Sequence, residues 1–363
     1  MSPFLRLAAL LALAGAVVAA PAASDCTGTI ASLDDVDDAV KCTTVVINSF
    51  TVPAGETFNL DLADGTTVNM EGDVTFAVKD WDGPLFQVSG KSITFNGNGH
   101  TFDGNGPSYW DGQGGNGGVT KPAPMMKIKI SGTYSVLNSP ERVYSVSNPA
   151  ALTMTALTID NSAGDAPNSK SDGQPAGHNT DGFDCSTTNL IIENSMIHNQ
   201  DDCLAINKGS NIVFQNNTCI GGHGISVGSI DSDVTVSGIV IQNNNVQNND
   251  QALRIKTKAS STDSTVTNIT YSGNVGTGLR QFGVLIDQSY PDTLGTPGNG
   301  VKLSAVNFVG STNTLTVNSG AQRVAVNCGS GSCTGTWNWS GLKVSGGTAG
   351  KITNFNGITG FTQ

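Results

Sequence analysis

Charged side chains are scarce in this chain of 363 residues: Asp, Glu, Lys and Arg make up 13% of it, with 18 bases against 29 acids. The formal net charge of −11 disfavours nucleic acid and anionic bilayers, so neither is expected as a partner. Helical periodicity is nearly absent; only Leu33 to Val40 reads as a short helix, expected to cap one end of the fold. Past the first 24 residues no apolar run approaches the ~18 residues that span a bilayer. Histidine is rare, with four residues in all, and no second histidine or cysteine stands at metal spacing from His223, so no metal and no other cofactor is expected. No linker rich in Pro, Gly or Ser divides the chain, and residues 25–363 are expected to form one elongated domain, active as a monomer.

What is plentiful is glycine, at 45 residues, together with Val, Ile, Thr, Asn and Ser through the middle of the chain. That composition favours short strands joined by tight turns. Residues 1–24 carry Arg6, then LAALLALAGAVVAA, then small residues up to Ser24, the pattern of a secretory signal peptide cut somewhere in 19–25. Without Arg6 the net charge becomes −12, and the chain is expected outside the cell. Seven cysteines then suggest three bridges and one thiol. Proximity pairs Cys26 with Cys42, Cys203 with Cys219 and Cys328 with Cys333. Sequons stand at Asn216, Asn268 and Asn338, with Asn216 inside the repeat and so a candidate for burial.

The repeat is an apolar ladder. Phe183/Cys185, Leu204/Ile206, Ile225/Val227, Leu253/Ile255 and Val284/Ile286 occupy one phase, and 183 to 204 and 204 to 225 are both steps of 21 residues. Units of this kind, each two short strands with a polar corner, predict an all-β fold: a right-handed parallel β-helix of about ten coils whose rungs lie ~4.8 Å apart. Cys185 shares the inward phase and is expected in the core as a small apolar group. Asn194, Asn216 and Asn243 fall at equivalent corners, where left-handed backbone and stacked amides are expected. A Ser-, Asp-, Gly- and Pro-rich excursion after Asn161, running to Gly177, is expected to wall one side of a cleft.

Two residues before the ladder positions Phe183, Leu204 and Ile225 stand Asp181, Asp202 and His223, with Asp201 beside the middle one. Registered coils would stack them into a column. Arg254 and Lys256 alternate with Leu253 and Ile255 and so face outward one coil later. Asp201 has the same outward parity; Asp181 and Asp202 reach the same face only if the backbone bulges just before the strand. Paired carboxylates are the apparatus of glycoside hydrolysis, and crowding raises the pKa of at least one of them. Asp201 is assigned the proton. Two cations beside the acids imply a ligand with its own negative charge, which a sugar acid provides.

The blocks GHNTDGFD (177–184), NQDDCLAIN (199–207), GGHGISVG (221–228) and RIK (254–256) resemble the four signature blocks of pectin-degrading glycoside hydrolases, most closely the fungal endopolygalacturonases. FDGNGPSYWDG (102–112) and QSYP (288–291) extend the resemblance over nearly the whole chain past the leader. It implies hydrolysis of internal α-1,4 links of de-esterified homogalacturonan with inversion and without metal. It also implies Asp201 as proton donor, Asp181 and Asp202 holding the attacking water, His223 supporting the donor, Arg254 and Lys256 on the substrate carboxylate, and Tyr290 and Asn179 lining the cleft. Cys185 departs from the family, which usually carries Ile or Val there. Rung spacing alone would suggest retention, since inverting carboxyls usually stand ~6.5–9.5 Å apart. The alternatives are an exo-acting relative, a calcium-dependent pectate lyase on the same solenoid, and a carbohydrate-binding solenoid without catalysis. A lyase would leave unsaturated ends and stop with chelator.

Overall fold

The computed structural model describes residues 24–128, 131–137 and 139–363, with backbone alone for 131–137; the expected leader lies outside the described residues. Every strand pairing among the described residues is parallel, as in a right-handed parallel β-helix. One column of the helix runs through Phe58, Phe86, Met126, Tyr144, Phe183, Leu204, Ile225, Leu253, Val284 and Val324, one residue per coil, each directly opposite the next. The ladder pairs read from the sequence are these same pairs. All of these residues are buried, because period-2 alternation turns every second side chain into a core shared by successive coils. The Tyr144 and Phe183 rings stack 5.0 Å apart under the central coils.

The polar corners are held by asparagine, though one place further along than expected. Asn194, Asn216 and Asn243 do adopt left-handed backbone, with φ of 54°, 57° and 55°. The amides that bond along the axis include the residues after Asn216 and Asn243: Asn217 and Asn244, with Asn274 and Asn313 on later coils, are buried, and each accepts the backbone N–H of the coil before it. A left-handed residue turns the chain inward, so the next side chain is the one that enters the corner. Asn216, Asn268 and Asn338 are all exposed, so Asn216 is not buried.

The ends are covered. A 3-10 turn over Leu33–Asp35 and a helix over Val36–Ala39 cap the first coil, with Val36 and Ala39 buried. At the other end Trp337 and Trp339 pack against Phe355 and Phe361. Disulfides join Cys26 to Cys42, Cys203 to Cys219 and Cys328 to Cys333, and Cys185 is a buried free thiol. No described helix is long and apolar enough to cross a membrane.

Asn244 accepts from the Asn217 amide and donates to the Phe214 carbonyl and to Asn274 Oδ1. Asn244→Leu bares these groups in the core at about 1–3 kcal/mol each, and the thermal midpoint is expected to drop by several degrees. An unchanged midpoint would show that the amide ladder does not keep the coils aligned.

Candidate active site

The outer face of the same column carries Ser145, Asp184, Ala205, Ser226, Arg254 and Leu285, one coil after another. Along it lies a cleft of 830 Å³ lined by residues from Asp82 at one end to Tyr290 at the other, with Asp181, Asp201, Asp202 and Lys256 between. It crosses the coils from Phe86 to Val284, at ~4.8 Å each, which suits an extended polymer.

Strict alternation would put Asp201 outside and Asp202 inside. A register shift removes the conflict: Asp202 lies opposite Gly224 while Leu204 lies opposite Ile225, so Cys203 is an extra residue without a partner. Cys203 is buried and bonded to Cys219, and Asp202 joins Asp201 on the cleft side. The shift also changes the expected column. His223 stacks on Asp201 rather than on Asp202: its amide donates to the Asp201 carbonyl at 2.7 Å, and its Nδ1 lies 2.9 Å from Asp201 Oδ1. The glycines around His223 have a steric reason. A Cβ on Gly222 would stand 2.0 Å from the Asp201 carbonyl, and Gly224 has φ +86° with the Gln251 carbonyl 1.9 Å from where its Cβ would be.

Asp202 is fully buried and has all of its partners fixed. Oδ1 accepts from Arg254 at 2.5 Å and from the Ser226 hydroxyl at 2.8 Å; Oδ2 accepts from Lys256 Nζ at 2.6 Å. Arg254 Nε also donates to Ser226 Oγ at 3.0 Å. Asp201 accepts from the Asp202 amide at 2.7 Å on Oδ1 and from Asn179 Nδ2 at 3.0 Å on Oδ2. Asn179 is held in turn by the glycine-rich loop before it, through the Gly115 amide and Asn116 Nδ2. Tyr290 lies with its ring centroid 5.1 Å from Lys256 Nζ. The structure therefore brings Asp181, Asp201, Asp202, His223, Arg254, Lys256, Tyr290 and Asn179 to one place. Asp201, Asp202 and His223 each offer a ligand atom within 4.8 Å of the others. A divalent cation there would have to displace Arg254 or Lys256 from Asp202, so the donor set suits an ion pair better than a metal.

Neighbouring charges shift these groups in opposite directions. Burial works to raise Asp201, but the His223 charge and hydrogen bond, Lys256 and the Asp202 amide outweigh it and hold Asp201 well below the usual carboxylate range. Burial likewise opposes ionised Asp202, and Arg254 and Lys256 overcome it. His223 is raised, because Asp201 outweighs the burial that disfavours its charge. Asp181 is the carboxyl pushed far up, by burial first and then by Asp201, Asp184 and Asp202. Of the three aspartates Asp181 is thus the one raised, and Asp201 and Asp202 are lowered. The reason is that Asp201 has a cationic partner and Asp181 has three anionic neighbours.

Sequence reasoning passed over several members of this surface. Asp184 and Ser226 stand between inward ladder residues, so the parity that found Arg254 also marks them. Arg142 stands two residues before Tyr144, the same offset as Asp181 before Phe183. Asp250, 3.7 Å from His223 Nε2 and held by Arg280 at 2.8 Å, comes from a corner, and Asn116 from a loop; neither has a periodic signal.

Residues 42–361 match the family model of the glycosyl hydrolases family 28. The chain is 42% identical to a probable endopolygalacturonase A of Aspergillus kawachii over 366 residues, covering 93% of each chain. It is 41% identical to endopolygalacturonase B of Aspergillus oryzae over 345 residues, covering 92% of this chain and 91% of that one. Among solved structures it resembles endopolygalacturonase I from Stereum purpureum complexed with two galacturonate, with 49% identity, a TM-score of 0.85, and coverage of 90% of this chain and 96% of that one.

Asp184 is pushed up from 3.8 to about 6, chiefly by burial, with Arg142 working the other way. A carboxyl raised on folding binds its proton more tightly in the folded chain, so its contribution is complete below the unfolded value and is lost as pH rises through the folded one. Asp184→Asn should therefore raise the thermal midpoint at about pH 7, less at about pH 5, and not at all below about pH 3.8. A gain that does not depend on pH would assign the effect to packing.

Proposed function

This chain belongs to the glycosyl hydrolases of family 28, and from that premise we propose that it is an endo-acting polygalacturonase, hydrolysing internal α-1,4 links of de-esterified homogalacturonan. The observation that carries the reading is a carboxylate cluster inside a long cleft, with Lys256 in its lining and Arg254 bonded to Asp202 behind it. The acids fit glycosidic cleavage and the cations fit a uronate. The similarity to enzymes named endopolygalacturonase favours the endo mode over an exo-acting relative. The leader pattern, three disulfides and exposed sequons support secretion, and one solenoid from about residue 25 onward forms the catalytic unit.

Asp201 gives its proton to the leaving oxygen as the glycosidic C–O bond breaks. Asp181 and Asp202 hold the water that attacks the opposite face of the sugar, and Asp181 takes the water's proton. His223 supports Asp201, Arg254 and Lys256 bind the substrate carboxylate, Tyr290 packs beside Lys256, and Asn179 orients Asp201 from the cleft wall. Turnover then ends with a proton on Asp181 and none on Asp201, in line with the raised Asp181 and the lowered Asp201. The next turnover needs a proton on Asp201 again, and a sugar oxygen against Asp201 and a uronate drawing Lys256 toward itself both favour protonated Asp201.

The purified protein should release reducing ends from polygalacturonate, with mid-length oligomers first, β-configured new ends and no loss of rate in chelator. Unsaturated ends, or a stop with chelator, would identify a lyase; monomer alone from the start would identify exo action. Asp201→Asn should remove turnover and leave binding nearly intact, and an unchanged rate would end the assignment of Asp201. If Lys256 only held substrate, Lys256→Ala would mainly raise KM. Because it also neutralises buried Asp202 at 2.6 Å, kcat is expected to fall as well; a rise in KM alone would show that Asp202 does not depend on it.

A further inference from the structure

We propose that Arg142 binds substrate, taking the carboxylate of a second uronate on the side of the carboxylate cluster opposite to Arg254 and Lys256. This rests on the polygalacturonase reading and deepens it. Arg142 stands two residues ahead of Tyr144, as Asp181 stands two ahead of Phe183, and Tyr144 lies directly opposite Phe183. Its carbonyl accepts from the Met125 amide while the Asp181 carbonyl accepts from the Val143 amide, so Arg142 is one coil below Asp181. Arg254 is on the second coil above Asp202, reached through Ile225. A polymer lying along the cleft therefore meets cations on both sides of the carboxylates.

The side chain is available. Three cations line the cleft: Lys121, Arg142 and Lys256. Lys121 is 1% exposed and fully engaged with Asp111 and the Gly117 and Val119 carbonyls. Lys256 is bonded to Asp202 and is already assigned to the first uronate. Arg142 is 49% exposed and uses Nε on Glu141 at 3.1 Å, and its guanidinium makes no other hydrogen bond among the described residues. Four of its five donors remain, enough for a two-pronged grip on a carboxylate.

The surroundings require such a cation. Asp82, Glu141 and Asp184 line the same cleft and would repel a polyanion. Burial raises both Glu141 and Asp184, Asp184 to about 6, so the repulsion from Asp184 weakens as pH falls through that value while Arg142 keeps its charge.

Removing Arg142 alone would strand buried Glu141, so the informative variants are the double E141Q/R142Q and the single R142K, each checked by thermal midpoint. Their kcat and KM are compared with wild type on oligogalacturonates from the trimer upward and on polygalacturonate. The double variant should raise KM on long chains about tenfold, as expected for one lost charged hydrogen bond, with a smaller rise on the trimer and a much smaller change in kcat. R142K should recover part of the loss, and added salt should weaken wild type more than the double variant. An unchanged KM on long chains, or an equal loss at every chain length, overturns the assignment. Wild-type activity is the control that separates the two readings. If wild type itself does not shorten polygalacturonate, the hydrolase reading falls; if wild type does and E141Q/R142Q matches it, only Arg142 does.

Discussion

The site depends on one buried carboxylate. Asp202 has no exposed surface, and it stays ionised because Arg254, Lys256 and Ser226 from later coils saturate its oxygens. Breaking a buried pair of this kind typically costs ~3–5 kcal/mol, since the remaining charge has no water to turn to. The arrangement requires residues some fifty positions apart to arrive at one point, and the parallel ladder delivers them by keeping Leu204, Ile225 and Leu253 in register. Backbone pairing and the buried amides set the positions, and the ion pairs use them.

The stack also explains why similar carboxyls behave differently. Asp201 has an imidazole above it and Asp202 two cations, whereas Asp181 faces other acids. Three aspartates within two coils thus acquire unlike proton affinities from neighbours on adjoining rungs. A lateral move of one residue would exchange those neighbours, as the shift at Cys203 does when it gives His223 to Asp201.

Much of this was legible in the sequence because period-2 alternation and a repeating length are both one-dimensional signals. The ladder pairs, buried Cys185 and outward Arg254 follow from them, and the disulfides follow from proximity along the chain. The bulge was required by parity, but its effect on His223 was not visible, since counting residues assumes that none is skipped. The buried amides were placed one residue early because a positive φ redirects the following side chain. The opposite shifts of Asp181 and Asp201 could not be read either: they depend on distances between charges that letters do not record. Asn116 and Asp250 come from loops and corners, where no period exists.

The ladder leaves unequal freedom to lengthen or shorten the protein. A whole extra turn spliced in below Phe58 or beyond Val324 would add height to the column and leave the furrow as it is. Within the segment from Phe183 to Ile255 a single added residue on an inward strand would exchange its two faces, placing an acid in oil and a leucine in the groove. Gain and loss of length should therefore be confined over evolutionary time to corner loops and to the two ends, with the central turns keeping a fixed size.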